Sequence, residues 1–261
     1  MIKATLIDHM GDDLTVVNAA RVSFGKKREA LGYSGVEGKA MRPMLHDTDV
    51  RLINYLAKHR HTSPFGHCFA SFHVKAPIFV ARQLIKHKFL RWNEISRRYV
   101  DNEPEFYEPD VWRGRSEDKK QGSDDTVSID VAWYDRDDGY NSWPEDSCFI
   151  ALEAYQKMLE LGVAPEQARM VLPQSTMTEW YWSGSMDAFS DMCNLRCKSD
   201  TQAETREVAD QIYEQIEKIF PISWSALAWA DLEGLTSTEI RAMTDAEKQR
   251  SKEKSIANGR R

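Results

Sequence analysis

The chain is poor in cysteine, has no long apolar run and carries no excess of basic residues. Its four cysteines, Cys68, Cys148, Cys193 and Cys197, are too scattered over 261 residues for a disulfide framework, so reduced thiols in a reducing compartment are expected. No stretch approaches the roughly 18 apolar residues that span a bilayer, which sets aside a membrane-spanning helix and a membrane partner. Residues 1–14 meet Asp8, Asp12 and Asp13 before a secretory core could form, and a cytoplasmic location is expected. Net charge is −6, whereas broad nucleic-acid binding usually needs a basic domain. Any anion site must therefore be local.

What is present is globular material. A 41% hydrophobic content with 8 Trp, 9 Tyr and 10 Phe can bury one substantial core at this length. Residues 3–7 read as a strand and 13–22 as a helix with an acidic start. A second helix follows, capped by Asp47 or Thr48, with Val50, Ile53 and Leu56 on one face. Cys68, Ala70, Phe72 and Val74 alternate with polar neighbours at a period of two, which is a strand, and Pro77 then opens a helix through Ile85. Helices are predicted over 148–161, 165–172, 186–198 with Ser185 as cap, and 201–220, where Pro221 ends the last. The expectation is a helix-rich α/β chain in a single domain over 1–243, with loop elaborations at 25–46 and 109–146 and a charged tail over 244–261.

Chemistry concentrates in one segment. Between residues 82 and 98 stand Arg82, Lys86, Lys88, Arg91, Arg97 and Arg98 against the single acid Glu94, interleaved with Phe89 and Trp92 and followed by Tyr99. Local cations beside aromatic faces suit a ligand with phosphate at one end and a planar ring at the other, as in a nucleotide or flavin. A solvated basic helix face is the plain alternative. A non-enzymatic binder of single-stranded nucleic acid is another, opposed by the acidic balance. His59 and His61 lack a carboxylate partner at metal-site spacing, and Cys193 and Cys197 lack a second thiol pair, so no metal is expected.

The same segment resembles the signature of the flavin-dependent thymidylate synthases, Arg-His-Arg, seven residues, then Ser. Here it reads Lys86-His87-Lys88 and Ser96, within the ending Asn93-Glu94-Ile95-Ser96-Arg97-Arg98-Tyr99. Residues 13–24, 72–83, 168–173 and 194–196 also look like family segments in family order. The resemblance implies an α+β fold with a small, mainly antiparallel sheet. It further implies methylation of deoxyuridine monophosphate (dUMP) to dTMP, with FAD as cofactor, methylenetetrahydrofolate as carbon donor, NADPH as reductant, and a homotetramer sharing sites between subunits. A related pyrimidine hydroxymethylation is the neighbouring outcome.

Residue by residue, the resemblance assigns Gln83, Lys86, Glu94, Ser96, Arg97, Arg98, Arg169 and Arg196 to the nucleotide. It assigns His61, Ser63, Lys86, His87, Lys88, Glu94, Ser185, Asp187 and Asp191 to the flavin. Arg196, Ser96 and His61 stand out as catalytic. The chain departs from the pattern at Lys86 and Lys88, at Gly66 where relatives carry glutamate, and at Ser185, Asp187 and Asp191 where they place Asn, Arg and Asn. None of the four cysteines sits in the Pro-Cys-His context of the unrelated classical synthases.

Overall fold

Alternation of apolar and polar residues produces the sheet on which everything else is laid. The structure, a computed structural model, describes residues 1–35, 42–100, 102–116, 123–128, 133–135, 139–141, 143–198 and 200–228. The first half runs β1 (Lys3–Met10), α1 (Asp13–Arg21), β2 (Gly32–Ser34), β3 (Arg42–Met44), α2 (Asp47–Lys58), β4 (Phe69–Pro77), α3 (Ile78–Leu84) and β5 (Leu90–Glu94). Short strands β6 (Arg113–Arg115), β7 (Ser123–Ser128), β8 (Trp133–Asp135) and β9 (Gly139–Asn141) follow. The remainder is α4 (Trp143–Glu160), α5 (Pro165–Ala168), β10 (Met177–Ser185), α6 (Met186–Arg196), α7 (Ala203–Ile219) and α8 (Pro221–Ala228).

The main sheet has the order β1-β4-β10-β5, and all its pairings are antiparallel. Ala70, Phe72, Val74 and Ala76 of β4 and Trp180 and Trp182 of β10 are buried on one face, under the helices. His73, Lys75, Glu179 and Tyr181 alternate onto the other face and are partly open to water. The helix-rich α+β arrangement with a small antiparallel sheet is thus what the resemblance implies. Strand β10, which holds the centre with β4, was not expected: its aromatics, Trp180, Tyr181 and Trp182, are consecutive and hide the period of two.

Capping differs from the prediction in detail. His46 takes the N-cap position of α2 and makes no side-chain cap bond, while Asp47 and Asp49 lie in the first turn, where the helix dipole favours acids. Asp49 is fully buried and ion-paired with Arg21 and Arg28, which pins the start of the 25–46 elaboration to α2. Ser185 stands at the N-cap of α6, as spacing predicts, also without a side-chain cap bond. Pro221 ends α7 but also opens α8, whose first free amides, on Ile222 and Ser223, donate to the buried Asp13 carboxylate. The two elaborations contain the small hairpins β2–β3, β6–β7 and β8–β9. The tail over 244–261 lies outside the described residues. Among the described residues no helix is long and apolar enough to cross a membrane.

The outer edge of β1 is closed by side chains instead of another strand. Gln211 and Gln215 stand one turn apart on α7, and their carboxamides pair with the strand as a neighbouring backbone would. Gln211 accepts from the Ala4 amide at 2.7 Å and donates to the Ile2 carbonyl at 3.3 Å; Gln215 accepts from Leu6 at 2.8 Å and donates to Ala4 at 2.9 Å. Replacing Gln215 by Met keeps the volume and removes the pairing. This is expected to lower unfolding free energy by roughly 1–3 kcal/mol at unchanged denaturant m-value. A loss below about 0.5 kcal/mol would mean that water satisfies this edge equally well.

Candidate active site

Three groups of the predicted residues come together, each on its own part of the frame. The first lies where α3 ends beside the last turn of α6. Arg196 Nε donates to His87 Nε2 at 3.0 Å, and Arg196 Nη2 donates to the Gln83 carbonyl at 3.4 Å. The Gln83 side chain in turn donates to Gln202 Oε1, just ahead of α7. Both recorded partners of Arg196 are neutral, so its half-buried guanidinium keeps its charge for a ligand. Burial lowers the Arg196 pKa. Burial, and then the Arg196 charge, push His87 down to about 4. The imidazole is therefore neutral at physiological pH and can accept the guanidinium hydrogen bond.

The second group sits on β5 and the turn after it. Glu94 lies opposite Trp180 in the β5–β10 register, and its carboxylate accepts from Thr178 Oγ1 at 2.6 Å and from Trp92 Nε1 at 3.0 Å. Trp92 itself stacks on Trp180 with centroids 4.3 Å apart, which fixes the strand that carries Glu94. Ser96 Oγ accepts from the Arg98 amide at 3.4 Å and Arg98 Nε at 3.3 Å, while Arg97 donates to the Asn102 carbonyl. A hydroxyl and two guanidiniums on one tight turn are donors of the kind that hold an anion.

Phe89, the residue that turns the chain from α3 into β5, has a left-handed φ of 65°. The turn lies so close to β10 that a Cβ at Gly184 would come within 3.1 Å of the Phe89 carbonyl and 2.4 Å of Leu90 Cδ2. Glycine at 184 is therefore a condition for the basic segment to reach the sheet. Lys86 and Lys88 are exposed on this connection.

The third group is at the C-terminal end of β10, the end away from Thr178 and Glu94. His61 and Ser63 are exposed on the chain between α2 and β4, where His61 lies 6.4 Å from both Tyr55 and His59, ring to ring. Ser185, Asp187 and Asp191 belong to the start of α6. Asp187 Oδ1 is buried, has no hydrogen-bond partner among the described residues and lies 3.9 Å from where a Gly66 Cβ would be. The Asp191 pKa is raised by burial and then by Asp187, with Arg60 opposing. An unpaired acceptor here and ammoniums at Lys86 and Lys88 form a donor set that suits a flavin nucleotide, which has hydroxyls along one stretch and phosphates along another.

Arg169 joins none of these groups. It lies in the turn after α5, exposed, with Nε donating to the Glu166 carbonyl at 3.2 Å. Thr178, Trp92 and Gln202 were missed by sequence reasoning. Thr178 belongs to the unrecognised strand; Trp92, noted only as an aromatic beside the cations, in fact acts through its indole N–H; Gln202 carries no motif signal at all.

Cations and carboxylates set along one edge of a helix-backed antiparallel sheet define a class of protein that handles a phosphorylated planar substrate. The chain belongs to the thymidylate synthase complementing protein family, whose model matches residues 5–222. It is 38% identical over 244 residues to a flavin-dependent thymidylate synthase from Thermus thermophilus, covering 91% of this chain and 80% of the relative. A flavin-dependent thymidylate synthase from Thermosipho melanesiensis is 39% identical over 207 residues, with 79% and 82% covered. Among solved structures, a UMP/dUMP methylase from Streptomyces cacaoi bound with 5-Br dUMP is similar at a TM-score of 0.68 and 31% identity, covering 87% of this chain and 94% of that one.

The His87 geometry carries a pH signature. A folded-state pKa of about 4 against an ordinary 6.5 means that the unfolded chain takes up this proton first. The contribution of His87 to stability is thus intact above pH 6.5 and is lost as pH falls towards 4. His87→Gln preserves an acceptor for Arg196 and cannot titrate. Its unfolding free energy is expected to fall less between pH 6.5 and 4 than that of the parent. Parallel curves for the two proteins would show that His87 takes up its proton as readily in the fold as in the unfolded chain.

Proposed function

We propose that this chain is a flavin-dependent thymidylate synthase that converts dUMP to dTMP, with methylenetetrahydrofolate as carbon donor and NADPH as final reductant. The observation that carries the proposal is the partly desolvated Arg196, held by two neutral partners within the frame that the chain shares with its relatives. A fixed guanidinium beside the uracil edge stabilises the enolate form of the ring and so makes C5 more nucleophilic. Gln83, Lys86, Glu94, Ser96, Arg97 and Arg98 complete the nucleotide site, the turn at Ser96 taking the phosphate. Held by Thr178 and Trp92, the Glu94 carboxylate accepts from the nucleotide or from the flavin beside it.

His61, Ser63, Lys86, His87, Lys88, Ser185, Asp187 and Asp191 hold the FAD. When bound and reduced, the flavin supplies the hydride that completes the methyl group. His61, exposed among Tyr55 and His59, offers the folate an aromatic and hydrogen-bonding surface. No protein nucleophile is needed. Burial pushes the Cys68 thiol up to about 12, far from the thiolate that a nucleophile requires.

The catalytic unit is a single domain over 1–243, assembled as a homotetramer in which Arg169 serves a neighbouring subunit's nucleotide. Supporting this, Arg169 stands apart from the other nucleotide residues of its own chain, and Met170 beside it is 74% exposed. Phe149 and Ile150 of α4, which packs on the same turn, are likewise open to solvent. Large apolar surfaces of this kind are what a second copy covers.

The test is direct. Purified protein supplied with flavin, methylenetetrahydrofolate, NADPH and dUMP should yield dTMP by mass, with UMP run in parallel as a competing substrate. Arg196→Ala should retain its fold and lose about 100-fold or more in turnover. A 5-hydroxymethyl product, or unchanged turnover in the variant, would overturn this assignment.

A second test concerns Lys86 and Lys88. An ammonium attracts phosphate as a point charge, whereas guanidinium grips two oxygens at once. Flavin binding is therefore expected to weaken on raising salt from about 0.05 M to about 0.5 M, and to tighten when both lysines become arginine. Salt-insensitive, tight binding by the parent protein would show that other contacts hold the phosphates.

A further inference from the structure

Gln83 is held at two points. Its carbonyl accepts from Arg196, and its side-chain Nε2 donates to Gln202 Oε1. Gln202 has a rigid base of its own: it is the N-cap residue of α7, and its carbonyl accepts the amides of Thr205 at 3.0 Å and Arg206 at 2.9 Å. The same first turn of α7 is held from the other side, where buried Glu204 pairs with Arg113 of the β6–β7 hairpin. The Gln202 backbone is thereby fixed at the helix start.

A carboxamide has one donor end and one acceptor end. With one Nε2 hydrogen of Gln83 given to Gln202, the carboxamide is oriented, and its Oε1 end is the acceptor it offers. Beside it Arg196 presents only donors. We propose that Gln202 is a positioning residue of the nucleotide site, fixing Gln83 so that its side-chain oxygen accepts a hydrogen bond from a donor on the pyrimidine nucleotide. Two donors on dUMP have the right chemistry, the imide N–H of the base and the 3′-hydroxyl of the sugar. Cytosine, with a lone pair in place of the imide N–H, meets an acceptor here and is disfavoured if the base is the partner.

This inference rests on the reading of Gln83 as a nucleotide contact, and the test separates the two. The dissociation constant of dUMP is measured by calorimetry on the full-length flavoprotein as parent, Gln202→Met, Gln83→Met and the double variant. Gln202→Met is expected to weaken dUMP about fivefold, the loss appearing in KM more than in kcat. The double variant is expected to bind no more weakly than Gln83→Met, because Gln202 acts through Gln83. Repeating the pair with 2′,3′-dideoxyuridine monophosphate locates the donor: loss of the Gln202→Met effect assigns the sugar hydroxyl, and its persistence assigns the base. Equal dUMP affinity in parent and Gln202→Met, or full additivity in the double variant, overturns the proposal. Failure of the parent to bind dUMP, or unaltered binding by Gln83→Met, counts instead against the nucleotide site.

Discussion

The burial of β10 beneath the helices is the constraint on which the rest of the molecule depends. Trp180 and Trp182 are almost wholly removed from water; Trp182 meets Phe189 of α6 edge-on at 5.6 Å, and Phe189 meets Phe72 of β4 at 5.3 Å. Each indole contributes several kilocalories of apolar burial, more than any single polar contact in the site. Because β10 is central, it sets the register of β4 on one side and β5 on the other. Its end leads straight into α6, so Arg196, in the last turn of an 11-residue helix, is delivered roughly 16 Å from Ser185. One strand thereby places the start of α6 at one end of the sheet and the Arg196 cluster beyond it.

Electrostatics in the site follow from partial dehydration. The end of α3 beside the last turn of α6 brings a guanidinium, an imidazole and a backbone carbonyl together where water is scarce, and both titratable groups respond by disfavouring their charged forms. His87 yields first, because its ordinary pKa is close to neutrality while that of arginine is far above it. What remains is a fixed cation with neutral partners, ready for developing negative charge. The carboxylates of Asp187 and Asp191 lie in the first half of α6, away from Arg196 in its last turn. Net charge alone, at −6, hides this separation.

Much of the frame was legible from local patterns. The alternation at 68–75 and the helical spacing at 208–219 report directly on burial, because each is set by one element facing one core. The Lys86-His87-Lys88 to Ser96 spacing was legible for a different reason: a tight turn rich in donors is a local device that tolerates few alternatives. Strand β10 was not legible, since its consecutive aromatics fill a core face, a stacking position and a half-open position at once. Helix α8 escaped because Pro221 reads equally as an ending and as a first residue.

By itself, then, the sequence determined most of the helices, strands β1 and β4, where the cations gather and which family the chain resembles, because these depend on neighbours along the chain. Only the tertiary structure decided what each side chain meets. That His87 is an uncharged partner of Arg196, that Glu94 is gripped by Thr178, and that Gln202 holds Gln83 all follow from contacts across 109, 84 and 119 residues of sequence. No local periodicity encodes such contacts. They arise when the sheet and helices close on their common core, and dehydration at that point turns ordinary side chains into a directed set of donors and acceptors.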